Sequence, residues 1–302
     1  MSNGLVLIAS YPKSGNTWTR LVLTRLGGRP EQAFSINRLE GHWQGIARRR
    51  LFDDYSPVNA GDLTPAEIEL FLPDINRRLA AEVPDPAFVK VHDCARRTEQ
   101  CGWHYPPDSV RVVIYLTRHP YDVAVSTAHH FGTTPDEAVE IMGDDGVARE
   151  SSGKLQPSMP QWVGSWSANV ISWLDGPYPL ALMRYEDVHA DPVSAFQELA
   201  AAAGLAVGVD EVRRVVDATR FELLQQEEEK QGFRERPKTS TRFFRAGRPG
   251  AWKGMLDDSL QARLAREHGA VMERLGYSDD GEAVAIPNGK ERPIRGPQSP
   301  RN

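Results

Sequence analysis

The sequence predicts an α/β protein of three layers, a mostly parallel central sheet flanked by helices, and three observations carry that expectation. Short β-rich runs alternate with helix-compatible stretches along the chain. The runs are close to continuously apolar rather than alternating, as strands covered on both faces require. A strand-to-helix turn rich in polar residues occurs twice, at Ser10–Gly15 and at Thr117–Pro120. The length of 302 residues and a hydrophobic content of 40% suit one domain, expected over 1–277, with a Pro-, Gly-, Asp- and Arg-rich stretch, 278–302, expected as a flexible C-terminal tail.

Taken in order, Leu5–Ala9 is a short apolar strand, and Asn16–Leu26 is a helix with Trp18, Leu21, Val22 and Leu26 at helical spacing. Thr64–Glu82 is a helix with Thr64 as cap and Pro65 in its first turn. Ala87–His92 is a short strand ending in Lys-Val-His. Arg111–Leu116 is a β-rich strand running into Thr-Arg-His-Pro, where Pro120 opens a helix through Phe131. Gly143–Pro160 lacks periodicity and is a candidate lid. Leu180–Arg184 is a further buried strand, followed by a helix over Pro192–Ala203 that Gly204 stops. Gln231–Gly250 is irregular and basic in its second half. Trp162, Trp166 and Trp173 fall at helical spacing and are expected as core or acceptor-pocket wall. Glu227-Glu228-Glu229 is expected as a solvated helix face, Asp144-Asp145 as a loop tip and Arg48-Arg49-Arg50 as a solvated cluster.

Composition excludes several classes. A mean hydropathy of −0.47 argues against a membrane protein, and the five-residue apolar run near the start is too short for a signal-peptide core or a span. Cys94 and Cys101 are too few for a disulfide framework or a zinc site, so free thiols in a reduced cytoplasm are expected. A net charge of −5 gives no reason to expect nucleic-acid binding.

The first strand-loop-helix carries Ser10-Tyr-Pro-Lys-Ser-Gly-Asn-Thr-Trp18. Gly15 permits close backbone approach, and the helix start offers unpaired N–H groups and a positive dipole end, which together hold an anion. Lys13 adds a cation, and Ser14, Asn16 and Thr17 add donors. It is not a Walker A loop, because Lys13 precedes Gly15. Tyr11–Trp18 resembles the 5′-phosphosulfate loop of sulfotransferases dependent on 3′-phosphoadenosine-5′-phosphosulfate (PAPS), with Asn16 where threonine is commoner. The resemblance places Lys13 at the bridging oxygen and Trp18 near the adenine.

Further stretches extend it. Arg118 and Ser126, eight residues apart, are similar to the family's 3′-phosphate pair, and arginine's planar fork suits a dianion. Arg245-Ala-Gly247-Arg-Pro-Gly-Ala-Trp-Lys253 resembles the segment that closes over the nucleotide, implying contacts from Arg245, Ala246 and Gly247. Ala246 stands where the family has lysine, and Arg248 is a candidate replacement. Tyr185, Thr219 and Phe221 match adenine-contacting positions and read equally as core. Phe88-Val-Lys90-Val-His92 resembles the Lys-Thr-His segment whose histidine is the base and whose lysine assists at the sulfuryl group.

The resemblance implies a P-loop nucleoside triphosphate hydrolase-like fold and an enzyme that transfers sulfuryl from PAPS to a hydroxyl of an alcohol, phenol or sugar. It releases 3′-phosphoadenosine-5′-phosphate (PAP) and needs no metal. A small-molecule kinase and a non-catalytic nucleotide-binding module remain alternatives. Phe34–Asp62 and Gly132–Trp166 are expected to build the acceptor pocket, where Trp43, Phe52 and Tyr55 suggest an apolar or ring-bearing acceptor; oligomeric state stays open.

Overall fold

The computed structural model describes residues 4–28, 35–39, 42–43, 48–83, 86–146, 148–149 and 158–286. Along the chain come strand β1 (Leu5–Ser10), helix α1 (Asn16–Gly27), β2 (His42–Trp43), α2 (Arg49–Tyr55), α3 (Pro65–Glu82) and β3 (Ala87–Val91). A short ribbon, β4 (Arg97–Thr98) with β5 (Gly102–Trp103), leads to β6 (Val110–Thr117), α4 (Pro120–Phe131) and α5 (Pro135–Gly143). A second ribbon, β7 (Ala148–Arg149) with β8 (Gln161–Trp162), precedes α6 (Trp166–Leu174) and β9 (Leu180–Arg184). The remaining helices are α7 (Tyr185–Ala190), α8 (Pro192–Ala202), α9 (Val209–Ala218), α10 (Phe221–Gln231) and α11 (Asp258–Arg274).

The central sheet has the order β2-β3-β1-β6-β9, and every pairing in it is parallel. Strand β1 lies in the middle, with Leu7 paired to Val89 on one side and to Val113 on the other. The period of two then divides the core: Leu5, Leu7 and Ala9 face one apolar cluster, and Val6 and Ile8 the other. The first cluster takes in α3, α6 and α11, and the second α1, α8 and α9, giving three layers. Parallel strands also end at the same edge. Ser10, His92, Arg118 and Tyr185 therefore emerge together, at the carboxyl ends where open α/β sheets bind ligands.

Several expectations need correction. Trp166 and Trp173 share α6 and are fully buried, but Trp162 belongs to β8. Phe52 packs into the core rather than lining an acceptor pocket, with Tyr55 against the same cluster; the side chain of Trp43 lies outside the described residues. The first part of the stretch expected as a flexible tail packs against the domain: His119 Nε2 meets Ser278 O at 3.0 Å, and Arg184 donates to Val284 O at 2.6 Å. Residues 287–302 and half of the candidate lid, 147 and 150–157, lie outside the described residues.

Candidate active site

At the carboxyl edge the sheet opens into a cavity of ≈ 710 Å³. It is lined by Lys13, Gly15, Asn16, Thr17 and Trp18 from the first loop and helix, Lys90 and His92 from the end of β3, Arg118 just before α4 and Ser126 in the middle of that helix. Tyr185, Thr219, Phe221, Arg245, Ala246, Gly247 and Arg248 complete it, so of the site residues read from sequence only Ser14 is set behind the wall.

The loop's conformation is set by two left-handed residues, Lys13 (φ 74°) and Gly15 (φ 96°). Such a turn costs a non-glycine residue energy, and it aims the start of α1 into the cavity. A Cβ on Gly15 would lie 2.9 Å from the Tyr185 ring, so glycine is required for contact as well as for φ. Lys13 Nζ lies 3.2 Å from His130 Nδ1 and 4.6 Å from the Phe243 ring centre. The Ser14 hydroxyl is buried with no hydrogen-bond partner, an orphaned donor that an anion in the loop would satisfy.

Two residues of the loop turn inward instead. The Asn16 amide donates to Ile8 O (3.0 Å) and Ser10 Oγ (3.2 Å) and accepts from Arg20 Nε (3.0 Å), so its side chain is committed within the protein. Ser10 faces His92, whose Nδ1 lies 2.9 Å from Ser10 O and 3.3 Å from Ser10 Oγ. A carbonyl can only accept, so Nδ1 carries the hydrogen and Nε2 is the basic nitrogen.

Across the cavity, Arg118 stacks 4.4 Å from the Tyr185 ring centre, donates to Arg248 O (2.9 Å) and pairs with Asp122 (3.4 Å), while its buried Nε has no partner. Arg245 is close enough that burial, and then the Arg118 charge, lowers its pKa. Two guanidiniums held near each other with one adjoining carboxylate make a site for a multiply charged anion. Gly247 (φ 61°) lies against Phe221, and a Cβ there would overlap the ring. Trp18 donates to Thr219 Oγ1 (3.4 Å) and meets Phe196 edge-on at 5.1 Å, while Thr219 also hydrogen-bonds Val215 O (2.9 Å). Arg248 lines the cavity beside Ala246, with its carbonyl taken by Arg118.

Sequence reasoning missed three acids. Asp122 accepts from Gly250 N (2.8 Å) and Trp252 N (3.1 Å), fastening the segment after Arg245 to the start of α4. Glu228, expected on a solvated face, is buried and accepts from Phe243 N (2.8 Å) and Phe244 N (3.0 Å). Glu235 takes a two-pronged bond from Arg20 (3.0 and 2.6 Å) and pairs with Lys90 at 3.5 Å. Burial would raise the Glu235 pKa, but Lys90, Arg20 and His92 together bring it down to about 2.

Among the described residues, no group of three or more His, Cys, Asp or Glu is placed to hold a metal ion, and no helix is long and apolar enough to cross a membrane. Both cysteines are free, and burial pushes the Cys94 thiol up to about 11.

Residues 4–276 match the model of the sulfotransferase domain. A flavonol 3-sulfotransferase of Flaveria bidentis is 25% identical over 294 residues, covering 90% of this chain and 81% of that protein. Cytosolic sulfotransferase 17 of Arabidopsis thaliana is 24% identical over 279 residues, covering 85% and 71%. A mouse sulfotransferase complexed with PAP superposes with a TM-score of 0.57 at 19% identity, over 93% of this chain and 87% of that one.

Proposed function

The chain belongs to the sulfotransferase domain family, and from that premise we infer that it is a PAPS-dependent sulfotransferase acting on a hydroxyl of a small-molecule acceptor. The observation that carries the reading is one cavity lined at once by the Lys13 loop, the paired guanidiniums Arg118 and Arg245, and His92.

PAPS, when bound, supplies the sulfuryl group and leaves as PAP. The start of α1, Ser14 and Lys13 would hold its 5′ end, and Arg118, Ser126 and Arg245 its 3′-phosphate. Trp18, Tyr185 and Phe221, which line the cavity, would flank its adenine. His92 takes the acceptor's proton on Nε2, the nitrogen left basic once Nδ1 donates to Ser10 O. The resulting imidazolium keeps its Nδ1 bond and lies near the Glu235 carboxylate, which favours its charge. Lys13 and Lys90 bring positive charge to either side of the transfer, charge the protein holds in place before reaction.

Acceptors remain a class: an alcohol, phenol or sugar, with phenols first because the Flaveria relative is named for a flavonol. The Arabidopsis relative's name favours a cytosolic setting. The test is incubation with radiolabelled PAPS and a panel of such acceptors. His92→Ala is expected to lower turnover by ~100-fold or more while PAP affinity stays the same. Unchanged sulfation would remove His92 as base, and binding of magnesium–ATP in preference to PAP would remove the whole reading.

A further inference from the structure

At the cavity wall and beneath it, six side chains form a hydrogen-bonded chain whose two ends meet on one strand end. His92 Nδ1 meets Ser10 Oγ (3.3 Å), Ser10 Oγ accepts from the Asn16 amide (3.2 Å), and the Asn16 carbonyl accepts from Arg20 Nε (3.0 Å). Arg20 then grips both oxygens of Glu235, and Glu235 accepts from Lys90 Nζ (3.5 Å). Lys90 and His92 are two residues apart on one strand end, so the path returns to its start.

We propose that Glu235 is a positioning residue of the transfer reaction, fixing Lys90 directly and the base His92 through Arg20, Asn16 and Ser10. This rests on the sulfotransferase reading. Three features argue for it. First, Arg20 is fully buried, and its guanidinium finds its countercharge in Glu235, so the hydrogen-bonded chain has a rigid member at its centre. Second, Lys90 keeps a quarter of its side chain exposed and carries four rotatable bonds; ordering such a chain costs about 1.5–2 kcal/mol, which the Glu235 pairing meets before substrate arrives. Third, the hydrogen-bonded chain explains Asn16. The position must donate to Ser10 and accept from Arg20 at once, and an amide does so from two atoms at the reach required. The hydroxyl of threonine, the residue commoner at this point of the resembled loop, is one bond shorter and would have to serve both partners from one oxygen.

The cavity wall shared with His92 carries Lys13, Lys90, His129, His130 and His189 together with five arginines, and its acids are Asp217, Glu222 and Glu235. Of these acids, Glu235 is electrostatically coupled to His92, whose charge lowers its pKa.

The test uses the full chain, with Glu235→Gln and Asn16→Thr. Folding is checked by thermal unfolding and PAP binding by calorimetry. Turnover is read with radiolabelled PAPS and 4-nitrophenol as probe, and the His92 imidazole is followed by NMR across pH. Glu235→Gln is expected to lower kcat ~10- to 100-fold, with KM and PAP affinity within ~3-fold, because positioning rather than binding is lost. Removing the negative charge also destabilises the imidazolium, so the His92 titration midpoint and the acid limb of the rate profile move to lower pH by ~0.5–1 unit. Asn16→Thr cuts the hydrogen-bonded chain with its charges intact and is expected to lower kcat ~3- to 10-fold. A folded, PAP-binding Glu235→Gln protein whose His92 midpoint does not move overturns the proposal, whatever the probe. If that variant fails to fold, unchanged kcat or an unchanged His92 environment in Asn16→Thr overturns it. Wild-type protein that neither binds PAP nor transfers sulfuryl signals instead that the sulfotransferase reading has failed.

Discussion

Lys13 is the one non-glycine residue among those described whose φ is left-handed, at 74°. Adopting it costs on the order of 1 kcal/mol, and the return is an ammonium presented at the mouth of a helix. Gly15 follows at 96° with the Tyr185 ring against its face. Gly15→Ala is therefore expected to cost ~1–3 kcal/mol of stability and to weaken PAP binding at least ~10-fold, measured by denaturation and calorimetry; wild-type affinity would show that the loop does not need this turn. These residues were legible because their chemistry is written contiguously: a cation, small donors and a glycine between a strand and a helix. His92 and Arg118 were legible because each ends a strand. Glu228 and Glu235 were not, since an acid in a charged stretch reads as a solvated face, and only the packing of distant segments shows that each is largely enclosed. The loop motif marks Asn16 as a donor to the ligand, whereas the fold turns it inward toward Ser10 and Arg20.

Helices show the same division. Thr64 and Glu67 form a reciprocal capping box at the start of α3, and Thr134 and Glu137 form an identical one at α5. Both carry the Thr-Pro-x-Glu signature, so each helix start is legible in the sequence. Helix α11 likewise announces itself through Asp257 at its cap and buried Leu264, His268, Val271 and Met272 on one face. Thr64→Ala should cost about 1 kcal/mol in thermal or chemical unfolding and leave PAP affinity unchanged, because no residue of α3 lines the cavity. Asp122 works between elements, joining the start of α4 to the turn at Gly250–Trp252 while pairing with Arg118. Asp122→Asn is expected to weaken PAP binding ~10-fold and to leave turnover at saturating PAPS within ~2-fold. A loss of turnover with affinity intact would contradict that coupling.

The molecule as a whole carries buried neutral histidines away from the cavity. Burial lowers His104 and His268 each to about 4, against an ordinary value of 6.5. The unfolded chain takes up these protons first, so their contribution to stability is complete above about pH 6.5 and is lost as pH falls toward about 4. The loss is about 1.4 kcal/mol per group for each pH unit within that window. Chemical denaturation at pH 7 and pH 4.5 should show it, and His268→Gln should remove part of the slope; a flat profile would refute the assignment. At this scale the sequence yielded the layers and the sheet edge, since apolar runs and strand ends are local signals, whereas the way loops 231–250 and 277–284 close over that edge depends on contacts between distant residues. Trp18 shows what this closure makes possible. It is the one tryptophan lining the cavity among the described residues, while Trp103, Trp162, Trp166, Trp173 and Trp252 lie elsewhere. A nucleotide base entering beside it would alter one indole's emission against a constant background, so the unlabelled protein carries its own optical reporter of donor occupancy, readable before any acceptor has been identified.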